Sequence, residues 1–126
     1  MQHKKFEKLL NETIKRIKDT LAVKNTEYAT DFDKLHNFKR AGEMLQCSPE
    51  KALIGMWTKH IISLLDIVDE LECKCGTQSC SFPAFDTGEY IATLEEKIGD
   101  AINYLILLEA LIKERKENVK GDEHSD

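Results

Sequence analysis

Apolar residues return at helical spacing through most of this chain. The longest apolar stretch is 96–114, EKIGDAINYLILLEALIKE. Ile98, Ala101, Ile102, Leu105, Ile106, Leu108, Leu111 and Ile112 recur there at helical intervals, and Leu107 and Ala110 carry the apolar surface round to the other side. A helix apolar nearly all round must be covered nearly all round. It is therefore the central helix of a bundle, or a helix shared with a second subunit. Each Leu or Ile fully buried there contributes roughly 1.5–3 kcal/mol. Thr93 followed by Glu96 reads as a capping box and predicts a helix start near Leu94.

Polar residues enter this helix on one stripe. Glu96, Asp100 and Asn103 stand at i, i+4 and i+7, and Leu107 continues the line. A carboxylate carried into a buried stripe needs a cation, a hydroxyl, a metal ion or a ligand beside it. Gly99 lies within the helix at a cost of about 1 kcal/mol relative to Ala, which predicts that another backbone or a ligand approaches there.

The same periodicity marks three more helices. Phe6, Leu9, Leu10, Ile14, Ile17 and Leu21 predict a first helix over 3–24, with Lys4, Lys5, Lys8, Lys15 and Lys18 on its solvated face. A short helix over 35–46 is expected to pack Phe38, Ala41, Met44 and Leu45. Ser48-Pro49-Glu50 is a helix start, with Ser at the N-cap and Pro in the first turn, and predicts a helix to about residue 72. Its core face would hold Leu53, Ile54, Trp57, Ile61, Leu64, Leu65, Val68 and Leu71. Lys59, Ser63, Asp66 and Glu70 fall on the opposite stripe, with His60 at its edge. That stripe reads either as a plain solvent face or as a second acidic row. The expectation is an all-α bundle of three long helices and one short one, a single domain over 1–118 with a polar tail after it.

Two connections stand out. Lys24, Asn25, Tyr28 and Asp31 crowd into a loop rich in hydrogen-bonding groups. They read as ligand-binding residues or, alternatively, as helix caps and plugs at the end of the bundle. Residues 73–92 form the long irregular connection and carry Cys73, Cys75 and Cys80. Three thiols can bind Zn²⁺, but C-x-C-x4-C is not the paired C-x2-C spacing, so free thiols are favoured over a zinc site or a disulfide.

Composition narrows the class. At 126 residues, 41% hydrophobic and 33% charged, the chain fits one soluble helical domain. Neither a signal-peptide core nor a membrane-spanning run is visible, so a cytoplasmic protein without membrane association and with reduced cysteines is expected. Residues 1–40 hold 10 Lys/Arg against 6 Asp/Glu, and 41–126 hold 8 against 17. The positive first third can steer an anionic ligand. No dense basic stripe with interleaved aromatics exists, which excludes general nucleic-acid binding. Gly-rich phosphate loops and H-E-x-x-H are absent. His60, Ser63 and Asp66 point outward side by side from one helix, a poor arrangement for a catalytic triad.

KNTEYATDFDKLHNFKRAG, ALIGMWTKHIISLLDIVDEL and EKIGDAINYLILLEALI together resemble a group of small phage and prophage proteins, over roughly residues 20–115. More remotely the arrangement is similar to the all-α nucleotide pyrophosphohydrolases of the MazG type. That resemblance implies a helical bundle, assembled as a dimer, whose acidic residues from two helices hold Mg²⁺ against a nucleotide's phosphates. The family pattern is E-E-x-x-E followed by E-x-x-D. Asp66, Asp69 and Glu70 are the nearest match to the first part, which is not intact. Glu96 and Asp100 match the second, four apart instead of three.

The resulting expectation is a phage accessory protein that binds a nucleotide or related phosphorylated small molecule. Asp66, Glu70, Glu96 and Asp100 are the candidate Mg²⁺ ligands and catalytic acids. Lys24, Asn25, Tyr28, Asp31, Lys59, His60 and Asn103 are the candidate ligand contacts. Lys59 would neutralise phosphate or pair with Asp100. A homodimer through the last long helix is expected. The alternative is an acidic interaction protein, without catalysis, that inhibits a host defence protein.

Overall fold

The computed structural model describes residues 1–28, 33–71 and 88–123, with the backbone alone for 23–28 and 122–123. Four helices make up nearly all of it: α1 (His3–Tyr28), α2 (His36–Leu45), α3 (Pro49–Leu71) and α4 (Gly88–Glu123). No strand occurs among the described residues. The all-α expectation of three long helices and one short one therefore holds.

Helix α3 starts as the sequence dictates. Pro49 is its first residue, and Ser48 Oγ accepts the Lys51 N–H at 3.1 Å. Helix α2 stops against it in a tight reversal. Gln46 adopts a left-handed conformation (φ 54°), and the Gln46 and Cys47 N–H groups return to the carbonyls of Glu43 and Gly42. A glycine is required at position 42, because a Cβ there would stand 2.8 Å from the Cys47 carbonyl oxygen.

The start of α4 differs from expectation. It begins at Gly88, inside the stretch read as irregular, and the capping box is not one. Thr93 is already mid-helix and its Oγ1 donates back to the Glu89 carbonyl at 3.0 Å. At its other end α4 runs to Glu123, into the segment read as a polar tail. Helix α1 also runs further than residue 24, through Tyr28.

Contacts between α3 and α4 run in opposite chain directions. Tyr90 lies by Ile67, Asp100 by His60 and Arg115 by Glu50, so the two helices are antiparallel. Helix α2 packs on α3, and α1 packs on α4. The buried core gathers at one end, where Leu35, Phe38, Leu53 and Leu111 meet Met56, Tyr104, Leu107, Leu108 and Ala110. Met44 and Leu45, expected in the core, point to solvent because α2 presents only Phe38 and Gly42 as buried residues.

Outside that cluster many apolar side chains on the same helices are open. Phe6, Leu9, Leu10 and Ile14 on α1, Ile54, Leu65, Val68 and Leu71 on α3, and Leu105, Ile106 and Ile112 on α4 are all exposed. The expected all-round covering of α4 is therefore not supplied by the described residues. No helix among the described residues is long and apolar enough to cross a membrane.

Candidate functional site

The polar stripe of α4 faces α1. Arg16, Ile17 and Thr20 on α1 and Glu95, Glu96, Gly99, Asp100 and Asn103 on α4 line a hollow of about 40 Å³ that opens to solvent. Arg16 Nη1 stands 3.8 Å from Glu95 Oε2 across its mouth. On the far side of α4, His60 of α3 places Nδ1 3.7 Å from Asp100 Oδ2 and rests its ring on Tyr104, centroids 5.0 Å apart. Asp100 thus connects the cleft to the α3–α4 packing.

The floor of the hollow is polar and unsatisfied. Asn103 is 3% exposed, yet neither its Oδ1 nor its Nδ2 has a hydrogen-bond partner. Arg16 Nε is likewise buried without a partner. Leaving such an atom unpaired costs about 1–3 kcal/mol, so groups of this kind are bonded in the working protein by water or by a ligand. The indole Nε1 of Trp57 on α3 is also buried and unpartnered, outside the cleft lining.

Gly99 opens the cleft. It is buried, and a Cβ built on it would meet nothing within 4 Å. The expectation that another backbone approaches Gly99 is therefore corrected. Omitting the side chain leaves space in the cleft lining, one turn before Asn103.

The sequence-predicted residues divide into three groups. Glu96, Asp100 and Asn103 come together on the cleft, with His60 behind Asp100. Asp66, Glu70 and Lys59 do not join them: all three are exposed on α3 and none lines the cleft. It is His60, not Lys59, that α3 sets beside Asp100, so His60 belongs to the packed face and not to the edge of the solvent stripe. The side chains of Lys24, Asn25, Tyr28 and Asp31, and Cys73, Cys75 and Cys80 with their zinc reading, lie outside the described residues. Sequence reasoning missed Arg16, Thr20 and Glu95. Arg16 did leave a signal: it is the one arginine among the lysines of α1, and arginine is preferred where a charge is partly buried and makes directed bonds.

As a metal site the donor set is sparse. Among the described residues no three His, Cys, Asp or Glu side chains gather closely enough to hold an ion. Glu95, Glu96 and Asp100 follow one face of a single helix. That arrangement fits Mg²⁺ only where phosphate oxygens and water supply most of its ligands, which is how Mg²⁺ is usually held.

Comparisons of the chain with protein-family models, with curated proteins and with solved structures returned no match.

Proposed function

We propose that this protein binds a nucleotide or related phosphorylated small molecule in the α1–α4 cleft, with Mg²⁺ as the accompanying ion. The observation that carries the reading is Asn103: a carboxamide almost fully buried at the floor of an open cleft, with both polar atoms unpaired. A chain that needed only packing there would place a leucine. Arg16 supplies a guanidinium for phosphate, and Glu95 and Glu96 supply carboxylates for a phosphate-bound Mg²⁺. Release of pyrophosphate would need a carboxylate to position water, and Glu96, like Glu95 an exposed acid on the cleft, would supply it. The role is consistent with a phage accessory protein of the MazG-like kind.

The test is thermal unfolding with nucleoside triphosphates, with and without Mg²⁺. A ligand at a hundredfold excess over its Kd stabilises the folded state by about 2.7 kcal/mol. A Mg²⁺-dependent rise, lost in Glu96→Gln, is expected. No shift with any nucleotide would sink the reading.

The open apolar face of α4 supports the second half of the proposal, a homodimer through that helix. Leu105→Glu is expected to convert a dimer to a monomer in sedimentation velocity. The competing use of exposed surface is capture of a basic host protein. The observation favouring it is the exposed row Asp66, Asp69 and Glu70 next to exposed Leu65 and Val68.

A further inference from the structure

We propose that two copies of this chain pair crosswise at the end away from α2, the first turns of α1 lying on the last turns of the other copy's α3. The inference rests on the homodimer proposed above and names the helices that meet in it.

Three helices share that end. Tyr90, near the start of α4, lies by Ile67, and α3 runs on to Leu71. Arg16 reaches Glu95, and Ile17 and Thr20 follow it into the cleft with Gly99 and Asn103. The residues of α1 before Arg16 therefore run toward the start of α4, level with the end of α3. Residues 3–12 of α1 are exposed without exception. Phe6 is 52% exposed, with Leu9, Leu10 and Ile14 open beside it. Leu65 is 56% exposed, with Val68 and Leu71 open beside it. A helical stretch as short as the start of α1 is marginal in water on its own, so its apolar row calls for a partner that the described residues do not supply.

Charge says what that partner is. At about 100° per residue, Lys4, Lys15 and Lys18 line one flank of the row Phe6, Leu10 and Ile14. Asp66, Asp69 and Glu70 line one flank of Leu65, and residues 62–71 hold no lysine or arginine. All of these charged residues are exposed, and none has an ion pair among the described residues. One end of the chain thus carries an open apolar row with a basic flank and another with an acidic flank. Within one chain α4 stands between them, with α1 on its cleft side and α3 on the side of His60. Between two copies they are complementary.

The same charges choose the orientation. Copies that meet on the open side of α4 can set like helices or unlike helices together. Like pairing brings lysine flank to lysine flank and acidic flank to acidic flank, which repel. Unlike pairing, about a two-fold axis running along α4, keeps the start of α1 level with the end of the other α3. By symmetry the contact is then made twice, and the dimer closes.

Sedimentation velocity of the whole chain with two charge reversals tests this. One reversal carries Lys4→Glu, Lys15→Glu and Lys18→Glu. The other carries Asp66→Lys, Asp69→Lys and Glu70→Lys. Wild type is expected to sediment as a dimer, and each reversal alone as a monomer. Mixed in equal amounts, the two reversals should regain the dimer, because each α1 then meets an α3 of opposite sign. A chain carrying both reversals should dimerise by itself. Circular dichroism checks the fold of each. Phe6→Glu and Leu65→Glu, single changes at exposed positions, should each weaken the dimer and stand in for a reversal that unfolds. A dimer that survives these changes, or reversals that stay monomeric when mixed, would overturn the crosswise pairing and leave the homodimer standing. A monomeric wild type would remove both proposals.

Discussion

The two ends of the α4 packing follow opposite rules. Where α2, α3 and α4 meet, charged groups are paired from helix to helix. Lys39 Nζ donates to both Asp33 and Glu114, and Arg115 grips Glu50 with two bonds of 2.7 and 2.8 Å. Leu53 beneath them is wholly buried. In the α1–α4 cleft, by contrast, polar atoms are buried and unanswered, and a glycine holds space open. One region is closed on itself. The other leaves buried polar atoms without a protein partner. The contrast teaches where to look for function in a chain with no recognisable motif: at groups that cost stability and gain nothing from the fold.

The comparison is broken most severely at its closed end. Leu53→Ala should cost about 2–5 kcal/mol in urea denaturation, since the side chain has no exposed surface to lose. A smaller value would mean that the core there is looser than its burial implies. The two glycines come next, and they should respond with opposite sign. Gly42→Ala should destabilise by about 1–3 kcal/mol, because its Cβ meets carbonyl and backbone atoms that a tight reversal cannot move. Gly99→Ala should stabilise by about 1 kcal/mol, since it gains helix propensity in open space. Equal signs would erase the distinction between the regions. Asn103→Leu should be neutral or raise stability by about 1 kcal/mol as an unpaired carboxamide is removed. A large loss would show that the amide already has its partners.

The smallest effect concerns protonation at the closed end. The Lys39 hydrogen bond holds the Asp33 carboxyl below its ordinary 3.8. The same bond, and then Glu114, hold the Lys39 ammonium above its ordinary 10.5. For Glu50, burial pushes upward, and the Arg115 bond with the lesser contributions outweighs it, leaving the carboxyl low. A lowered carboxyl stabilises above its ordinary pKa, and the contribution fades as pH falls through the lowered value. A raised ammonium stabilises below its ordinary pKa and loses that contribution only at strongly alkaline pH. These pairs are about a third exposed or more on one side, so Lys39→Ala should cost only about 0.5–1 kcal/mol at pH 7. The gap between variant and wild type should narrow as pH falls through the lowered Asp33 value and that carboxyl becomes protonated. Unfolding midpoints across pH 2–9 would show it.

The order of helices was legible because periodicity and the Ser48-Pro49 start are local signals. The α4 boundary was not, because Thr93 and Glu96 have capping-box spacing, whereas the bond Thr93 makes depends on backbone already helical before it. Half the cleft was legible in the stripe of Glu96, Asp100 and Asn103. The other half comes from α1, and nothing in one helix's sequence announces which neighbour its polar stripe will meet. Asp66 and Glu70 show the converse: acids at helical spacing on α3 mark a row, but only packing decides that the row faces solvent. His60 was placed one face out because its position borders both stripes, and its ring lies on Tyr104.

Trp57 carries a consequence of another kind. It is the chain's one tryptophan, and its indole N–H is buried without a hydrogen-bond partner, although a buried Trp usually finds one. An indole in that setting lacks the solvent relaxation that shifts its emission to long wavelength. The folded protein should fluoresce blue of the free amino acid and move red on unfolding. A single intrinsic chromophore on α3 therefore reports the folding of this chain without a label.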